Sequence, residues 1–329
     1  MHFGELQHFA HGDFGGGDVG NIERALFSFL GGEGCKCKDG EKCTAYHARD
    51  YRSFLAANHG GAAGRLFYTE VILPLVCPVR DCQLPLQRES RRAYCERGHS
   101  FDVAKSGYIN LLQPQERRSK QPGDTAGAVA ARRRLHDRGV TRALLEGIGE
   151  LLAAAADDAV LDAGCGDGFY LGSLAREYAF TACGVDISIP AVDAAARRYP
   201  DCQWLVANAD RAIPYADKSF DKVMSITARM NAPEFRRVLK DGGRLLVAIP
   251  APDDLIELRG AGRDRVERTI ATFGGLFSVA DRRRVTTTAA LDEDAVRDVL
   301  LSIYRPLQSQ PAVAVEVTFS LDLLLFRPI

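Results

Sequence analysis

Beyond Asp157 the chain alternates short apolar runs with stretches of helical spacing. AVLD (159–162) reads as a buried strand, GCGDGF as a glycine turn and LGSLAREYA as a helix. FTACGVDIS, AVDAAARRY and CQWLVAN repeat the unit, and DKVMSI and GGRLLVAIP add further strands. This βαβ rhythm predicts an α/β fold built on a doubly wound parallel sheet. The tail, VAVEVTFSLDLLLF, reads as two strand-like runs forming an antiparallel pair at one sheet edge. Ahead of the repeating part the pattern differs. SFDVAKSGYINLL (100–112) has neither a helical period nor a ligand spacing, and residues 1–66 are Gly-rich around one amphipathic segment, IERALFSFL.

With 329 residues, 46% hydrophobic and 26% charged, the chain has enough apolar material for about two domains with buried cores. The apolar run from Val71 to Cys77 is broken by Pro74 and is far shorter than the ~20 residues a bilayer requires. The first residues carry no basic start followed by an apolar core, so the expected place is the cytoplasm, with no membrane partner.

In a reducing compartment the nine cysteines read as ligands or core residues rather than disulfides. Cys165, Cys183 and Cys202 stand alone in apolar segments and read as small buried hydrophobes. Cys77, Cys82, Cys95 and His99 form two knuckles separated by QLPLQRESRRAY, a strand, a polar turn and a second strand. Three thiolates and one imidazole make a closed tetrahedral set, so the expectation is a structural Zn²⁺ in a zinc ribbon with no open position for chemistry. Cys35, Cys37 and Cys43, with His47, offer a weaker second cluster with no standard spacing.

DAGCGDG (162–168) follows a strand and alternates glycines as G-x-G-x-G, whereas the dinucleotide fingerprint is G-x-G-x-x-G. Asp186 closes the next strand, where a carboxylate can accept hydrogen bonds from both ribose hydroxyls. The combination points to S-adenosylmethionine, with Asp162, Gly164, Gly166, Gly168 and Asp186 as cofactor-binding residues.

Between Pro114 and Arg142, eight basic residues (Arg117, Arg118, Lys120, Arg132, Arg133, Arg134, Arg138, Arg142) face only Glu116, Asp124 and Asp137, on a chain whose net charge is −1. A basic stripe on a near-neutral protein suits a polyanion. The alternative reading is a solvated charged helix.

The ribbon ligands, FDVAKSGYINLL, RRSKQPGDTAGAVAARRRLHDRG, VLDAGCGDGFY, GVDIS and RVLKDGGRLLVAIPAPDDLIELRG occur in an order that resembles the bacterial 23S ribosomal RNA guanine-N1 methyltransferases. The resemblance runs from Cys77 to about Pro306. It implies a class I (Rossmann-like) methyltransferase domain at 143–329, preceded by a zinc ribbon at 71–113 and a basic linker and helix at 114–142, with 1–70 as an extension outside the match. It further implies a 23S ribosomal RNA hairpin as partner, a homodimer, and RNA contacts from Arg117, Arg118, Lys120, Arg132 and Arg133. Asn208, with Asp210 beside it, falls at the adenine edge of the cofactor. Phe101, Tyr108, Leu111 and Leu112 would pack between the domains. After the fourth strand the family places Ala-Pro against the target base, and this chain has Thr227-Ala228-Arg229-Met230 instead. Arg229 is therefore a substrate-pocket candidate that can polarise guanine O6, bind a phosphate or form a salt bridge on the surface. Two other readings stand beside this one: a small-molecule methyltransferase that uses zinc for folding alone, and a non-catalytic zinc-ribbon RNA-binding protein.

Overall fold

The computed structural model describes residues 73–116, 122–303 and 312–329, all within the compact unit Val71–Ile329. The expectations for residues 1–70, for Cys35, Cys37 and Cys43, and for Arg117, Arg118 and Lys120 lie outside the described residues.

The ribbon is a three-stranded antiparallel sheet, β1 (Gln87–Arg88), β2 (Arg92–Tyr94) and β3 (Ser100–Asp102). The polar turn joins β1 to β2 through a Glu89 N–H to Arg92 C=O bond of 2.8 Å. Past β3 the chain reverses at Ala104–Gly107, where Gly107 has φ +100°, and returns as β4 (Ile109–Asn110). β4 lies parallel to β7 (Gln203–Val206), with Ile109 opposite Leu205 and Asn110 opposite Val206. The unexplained segment 100–112 therefore carries the ribbon's chain into the edge of the main sheet. Ile109 and Leu111 pack on one face with the ribbon residues Leu75 and Phe101, while Tyr108 and Leu112 pack on the other.

Eight strands make the main sheet. From the β4 edge the order is β4, β7, β6 (Thr181–Asp186), β5 (Ala159–Ala163), β8 (Phe220–Ile226), β9 (Leu239–Pro250), β11 (Val315–Pro328) and β10 (Phe277–Leu291). All neighbours run parallel from β4 to β9, and β11 is antiparallel to both β9 and β10. The order reverses between β5 and β8, the switch point at which such sheets bind ligands beyond the carboxyl ends of their strands. The tail is not two strands but one, β11. Its outer neighbour β10, FSVADRRRVTTTAAL, escaped the pattern reading because it is exposed along nearly its whole length. A bulge between Val279 and Asp281, next to Arg282 and Arg283, blunts this free edge.

Helices α2 (Arg142–Leu152), α3 (Phe169–Tyr178) and α4 (Ile189–Arg198) supply one apolar layer. Phe235 of α5 (Ala232–Val238) and Phe273 of α7 (Val266–Phe273) pack in the other, which also holds the ribbon cysteines. α1 (Ala126–Asp137), capped by the Thr125 hydroxyl accepting from Ala128 N–H, shares a third cluster with α6 (Ile256–Arg259) and α8 (Glu293–Ser302).

His136 ends α1 inside the protein, with its ring stacked 3.9 Å from that of Phe169 and Nδ1 2.8 Å from the Thr141 hydroxyl. Burial, aided by the charges of Arg132 and Arg198, pushes its pKa down to about 3. Because the folded value is depressed, its contribution to stability is complete above the unfolded value of about 6.5 and is lost as pH falls toward 3. Unfolding midpoints are expected to drop steadily between pH 7 and pH 4.5, and His136→Gln is expected to start lower but decline less steeply. Parallel declines would assign the acid sensitivity elsewhere.

Candidate cofactor site and zinc ribbon

The ribbon ligands converge. Cys77 and Cys82 flank a turn closed by Cys82 N–H donating to Val79 C=O at 3.0 Å, and Cys95 and His99 flank one closed by Gly98 N–H donating to Cys95 C=O at 2.9 Å. Their four ligand atoms all lie within 4.8 Å of one another. The Cys82 and Cys95 sulfurs are 3.8 Å apart, and His99 Nδ1 lies 3.4 Å from the sulfurs of both Cys77 and Cys95. A tetrahedron with standard zinc bonds has edges of about 3.8 Å between sulfurs and about 3.5 Å between sulfur and nitrogen. The donor set therefore fits Zn²⁺. Burial pushes the Cys77 thiol up to about 12, whereas at Cys95 burial is outweighed by hydrogen bonds from the His99 and Arg97 backbone, which bring it down to about 7. A dication at the centre deprotonates such thiols outright.

At the switch point β5 carries Asp162 one residue before its end at Ala163, and the chain turns through Gly164 (φ +90°), Gly166 (φ +54°) and Gly168 (φ +74°) into α3. Two of these positions admit nothing larger. A Cβ on Gly164 would lie 2.3 Å from the Ala228 Cβ, and one on Gly168 would lie 2.4 Å from the Trp204 ring. Asp186, at the end of β6, is aimed back at the turn: one carboxylate oxygen accepts from Gly166 N–H at 2.9 Å and the other from Ser188 N–H at 2.8 Å. Each oxygen keeps a lone pair for a ribose hydroxyl.

Asp162 Oδ1 and Asp167 Oδ2 are buried and have no hydrogen-bond partner among the described residues. Burial, then the Asp186 charge, pushes the Asp162 carboxyl well above the ordinary range. Burial likewise raises Asp167 and Asp186 against the opposing pull of Arg132. Orphaned buried acceptors beside a glycine turn suit the ammonium and hydroxyls of S-adenosylmethionine, so the residues fit the cofactor. Asp167, the α4 cap Ser188 and the loop at Asp124 were missed in the sequence. The signal for Asp167 was a short polar residue between obligatory glycines, and Ser188 had none beyond a helix-capping pattern.

Asn208 follows β7, and Ala207 N–H donates to Asp186 C=O at 3.0 Å, which sets it beside the end of β6. Its side-chain oxygen accepts from Asp210 N–H at 3.2 Å. Asp210 is exposed, and its carboxylate faces the Arg229 guanidinium at 3.4 Å. The adenine-edge and substrate-pocket candidates thus sit against one another, and neighbouring Ala228 touches the glycine turn. Beyond the carboxyl end of β9, Asp253 Oδ1 is a further buried oxygen without a partner among the described residues.

Among the described residues of the basic stripe, four of five arginines are paired within the fold. Arg134 pairs with Asp298 at 2.5 and 2.8 Å, Arg138 with Asp292 at 2.9 Å and Arg142 with Glu146 at 2.9 Å. The reading of Arg132 as an outward phosphate contact is not met, because its guanidinium turns inward to Asp124 Oδ2 at 2.6 Å and the Ser302 carbonyl at 2.7 Å. Arg133 is exposed, with no ion-pair partner among the described residues.

Residues 75–120 match the profile of the RlmA N-terminal zinc ribbon, and 160–247 match that of a methyltransferase domain. The 23S rRNA (guanine(748)-N(1))-methyltransferase of Streptomyces fradiae is 35% identical over 79% of this chain and 98% of its own length. A Bacillus subtilis protein named for 23S rRNA guanine-N1 methylation is 32% identical over 66% of this chain and 73% of its own. No helix among the described residues is long and apolar enough to cross a membrane.

Two outcomes are expected. Cys82→Ser lowers the bound zinc by one equivalent per chain, measured by elemental analysis, and makes the ribbon protease-sensitive, since structural zinc supplies roughly 10–16 kcal/mol to small modules. A carboxyl whose folded pKa is raised contributes fully below the unfolded value of about 3.9 and loses that contribution as pH rises through the folded pKa. Asp162→Asn should therefore unfold at a higher temperature than the parent at pH 7 without cofactor, lose that advantage near pH 4, and bind S-adenosylhomocysteine more weakly. A less stable variant at pH 7 would refute the buried-charge account.

Proposed function

Because the chain belongs to the 23S rRNA guanine-N1 methyltransferase family, we propose that it transfers the methyl group of S-adenosylmethionine to N1 of a guanine in a 23S rRNA hairpin. The observation that carries this reading is the edge strand β4, which makes a zinc ribbon and a cofactor-binding sheet one body. The hairpin and a homodimer rest on the family resemblance.

S-adenosylmethionine supplies an activated methyl, so the protein has to hold cofactor and base in line and remove the N1 proton. Asp162, Gly164, Gly166, Gly168 and Asp186 shape the amino-acid and ribose side, and Asn208 with Asp210 meets the adenine. The sheet's switch point sets the acceptor beyond β8 and β9. There the unpartnered Asp253 oxygen takes the N1 proton, and Arg229 meets guanine O6 or a phosphate. Arg133, with Arg117, Arg118 and Lys120, contacts the RNA backbone, which positions the hairpin without reading its sequence.

Incubation with labelled S-adenosylmethionine and 23S rRNA lacking guanine-N1 marks is expected to give 1-methylguanosine on nucleoside mass spectrometry. Asp253→Asn is expected to reduce the transfer rate at least about a hundredfold while leaving cofactor affinity unchanged. Methyl transfer to a small molecule but to no RNA would replace this reading. A fully active Asp253→Asn would remove only the base assignment.

A further inference from the structure

The cofactor reading leaves one charge unanswered. The methionine end of S-adenosylmethionine carries a carboxylate as well as an ammonium, yet the side chains gathered at the glycine turn, Asp162, Asp167 and Asp186, are all acids. An anion brought among buried acids is strongly unfavourable without a cation.

Arg132 stands at this place. Its Nη1 lies 3.5 Å from where a Cβ on Gly166 would project, so the guanidinium covers the middle of the turn. Burial works against the cation, but Asp124 at 2.6 Å and the fields of Asp167 and Asp186 more than offset it and raise its pKa. Arg198 also acts on Asp167, and its Nη1 is buried without a partner among the described residues, but its guanidinium donates to Asp137 at 2.7 Å and lies over the Phe169 and Tyr199 rings.

We propose that Arg132 receives the cofactor's carboxylate, which takes the place of Asp124 Oδ2 on the guanidinium fork. A planar fork pairs with a carboxylate through two parallel hydrogen bonds, a match that lysine lacks. The exchange ties cofactor binding to the linker. The Asp124 carbonyl accepts from the Ser188 hydroxyl at 2.7 Å, and Ser188 N–H holds Asp186, so Arg132 and the ribose carboxylate share one loop. Arg132 Nη2 also holds the Ser302 carbonyl at the end of α8. Arg132 is thus a cofactor ligand that the chain keeps neutralised by its own acid until the ligand arrives.

This inference rests on the cofactor assignment above, and calorimetry with S-adenosylhomocysteine and its decarboxylated analogue separates the two. Arg132→Met is expected to weaken S-adenosylhomocysteine about tenfold to a hundredfold, with the decarboxylated analogue bound as by the parent. Arg132→Lys recovers part of the loss. Asp124→Asn removes the internal competitor and is expected to keep or improve S-adenosylhomocysteine binding. Equal losses for both ligands in Arg132→Met, or equal losses in Arg132→Met and Asp124→Asn, would show a merely structural ion pair and overturn the inference. Binding of neither ligand by the parent protein would overturn the cofactor reading itself.

Discussion

Three carboxylates packed around one glycine turn govern the rest of this structure. Asp162, Asp167 and Asp186 are held where water does not reach them freely, and at each burial raises the pKa. Such a cluster is unfavourable in the ligand-free fold and pays only when a ligand that brings positive charge and hydroxyl groups arrives. The surrounding elements restrain it: backbone N–H groups of Gly166 and Ser188 satisfy Asp186, and Arg132 lends charge to Asp167 and Asp186. The same dry environment keeps His136 neutral, because an imidazolium there would meet both Arg132 and Arg198.

The second constraint is mechanical. A ribbon with strands of two or three residues buries too little apolar surface to stand alone, and zinc supplies the missing stability. Here it does not stand alone in any case. Leu75 bridges Tyr215, Val76 N–H donates to Pro214 C=O at 3.1 Å, and β4 extends the sheet beside β7. β7 leads directly to Asn208. A displacement of the ribbon would therefore pull on the strand that frames the adenine side, so the element suited to grip RNA and the strand ends suited to hold the cofactor move as one piece.

The βαβ part of the fold was legible because parallel strands buried on both faces are written as unbroken apolar runs, and glycine turns mark their ends. The ribbon ligands were legible because each knuckle pairs two ligands across a short turn, Cys77 with Cys82 and Cys95 with His99. β10 was not, since an exposed edge strand carries no alternation to read, and its pairing with β11 joins residues far apart in sequence. Asp124 was also hidden, because its meaning depends on contacts with Ser188 and Arg132 that no local pattern encodes.

The basic linker shows how a local charge count misleads. Read along the chain, residues 114–142 look strongly cationic, yet two of the described arginines are neutralised by acids from far along the sequence. Asp292 and Asp298 on and before α8 are more than 150 positions away, at sequence separations of 154 and 164 from Arg138 and Arg134. Helix α1 faces α8 with its arginines and faces the glycine turn with Arg132, so most of its charge serves folding and the cofactor rather than a distant polyanion. Among the described residues, Arg133 of this helix is exposed and has no ion-pair partner. Exposed arginines also lie on the ribbon, Arg80, Arg88, Arg91 and Arg97, on the module that β4 fixes to the sheet. Phosphate contacts from a rigidly mounted module set register, which is the property an enzyme needs when a single base must reach a fixed methyl group.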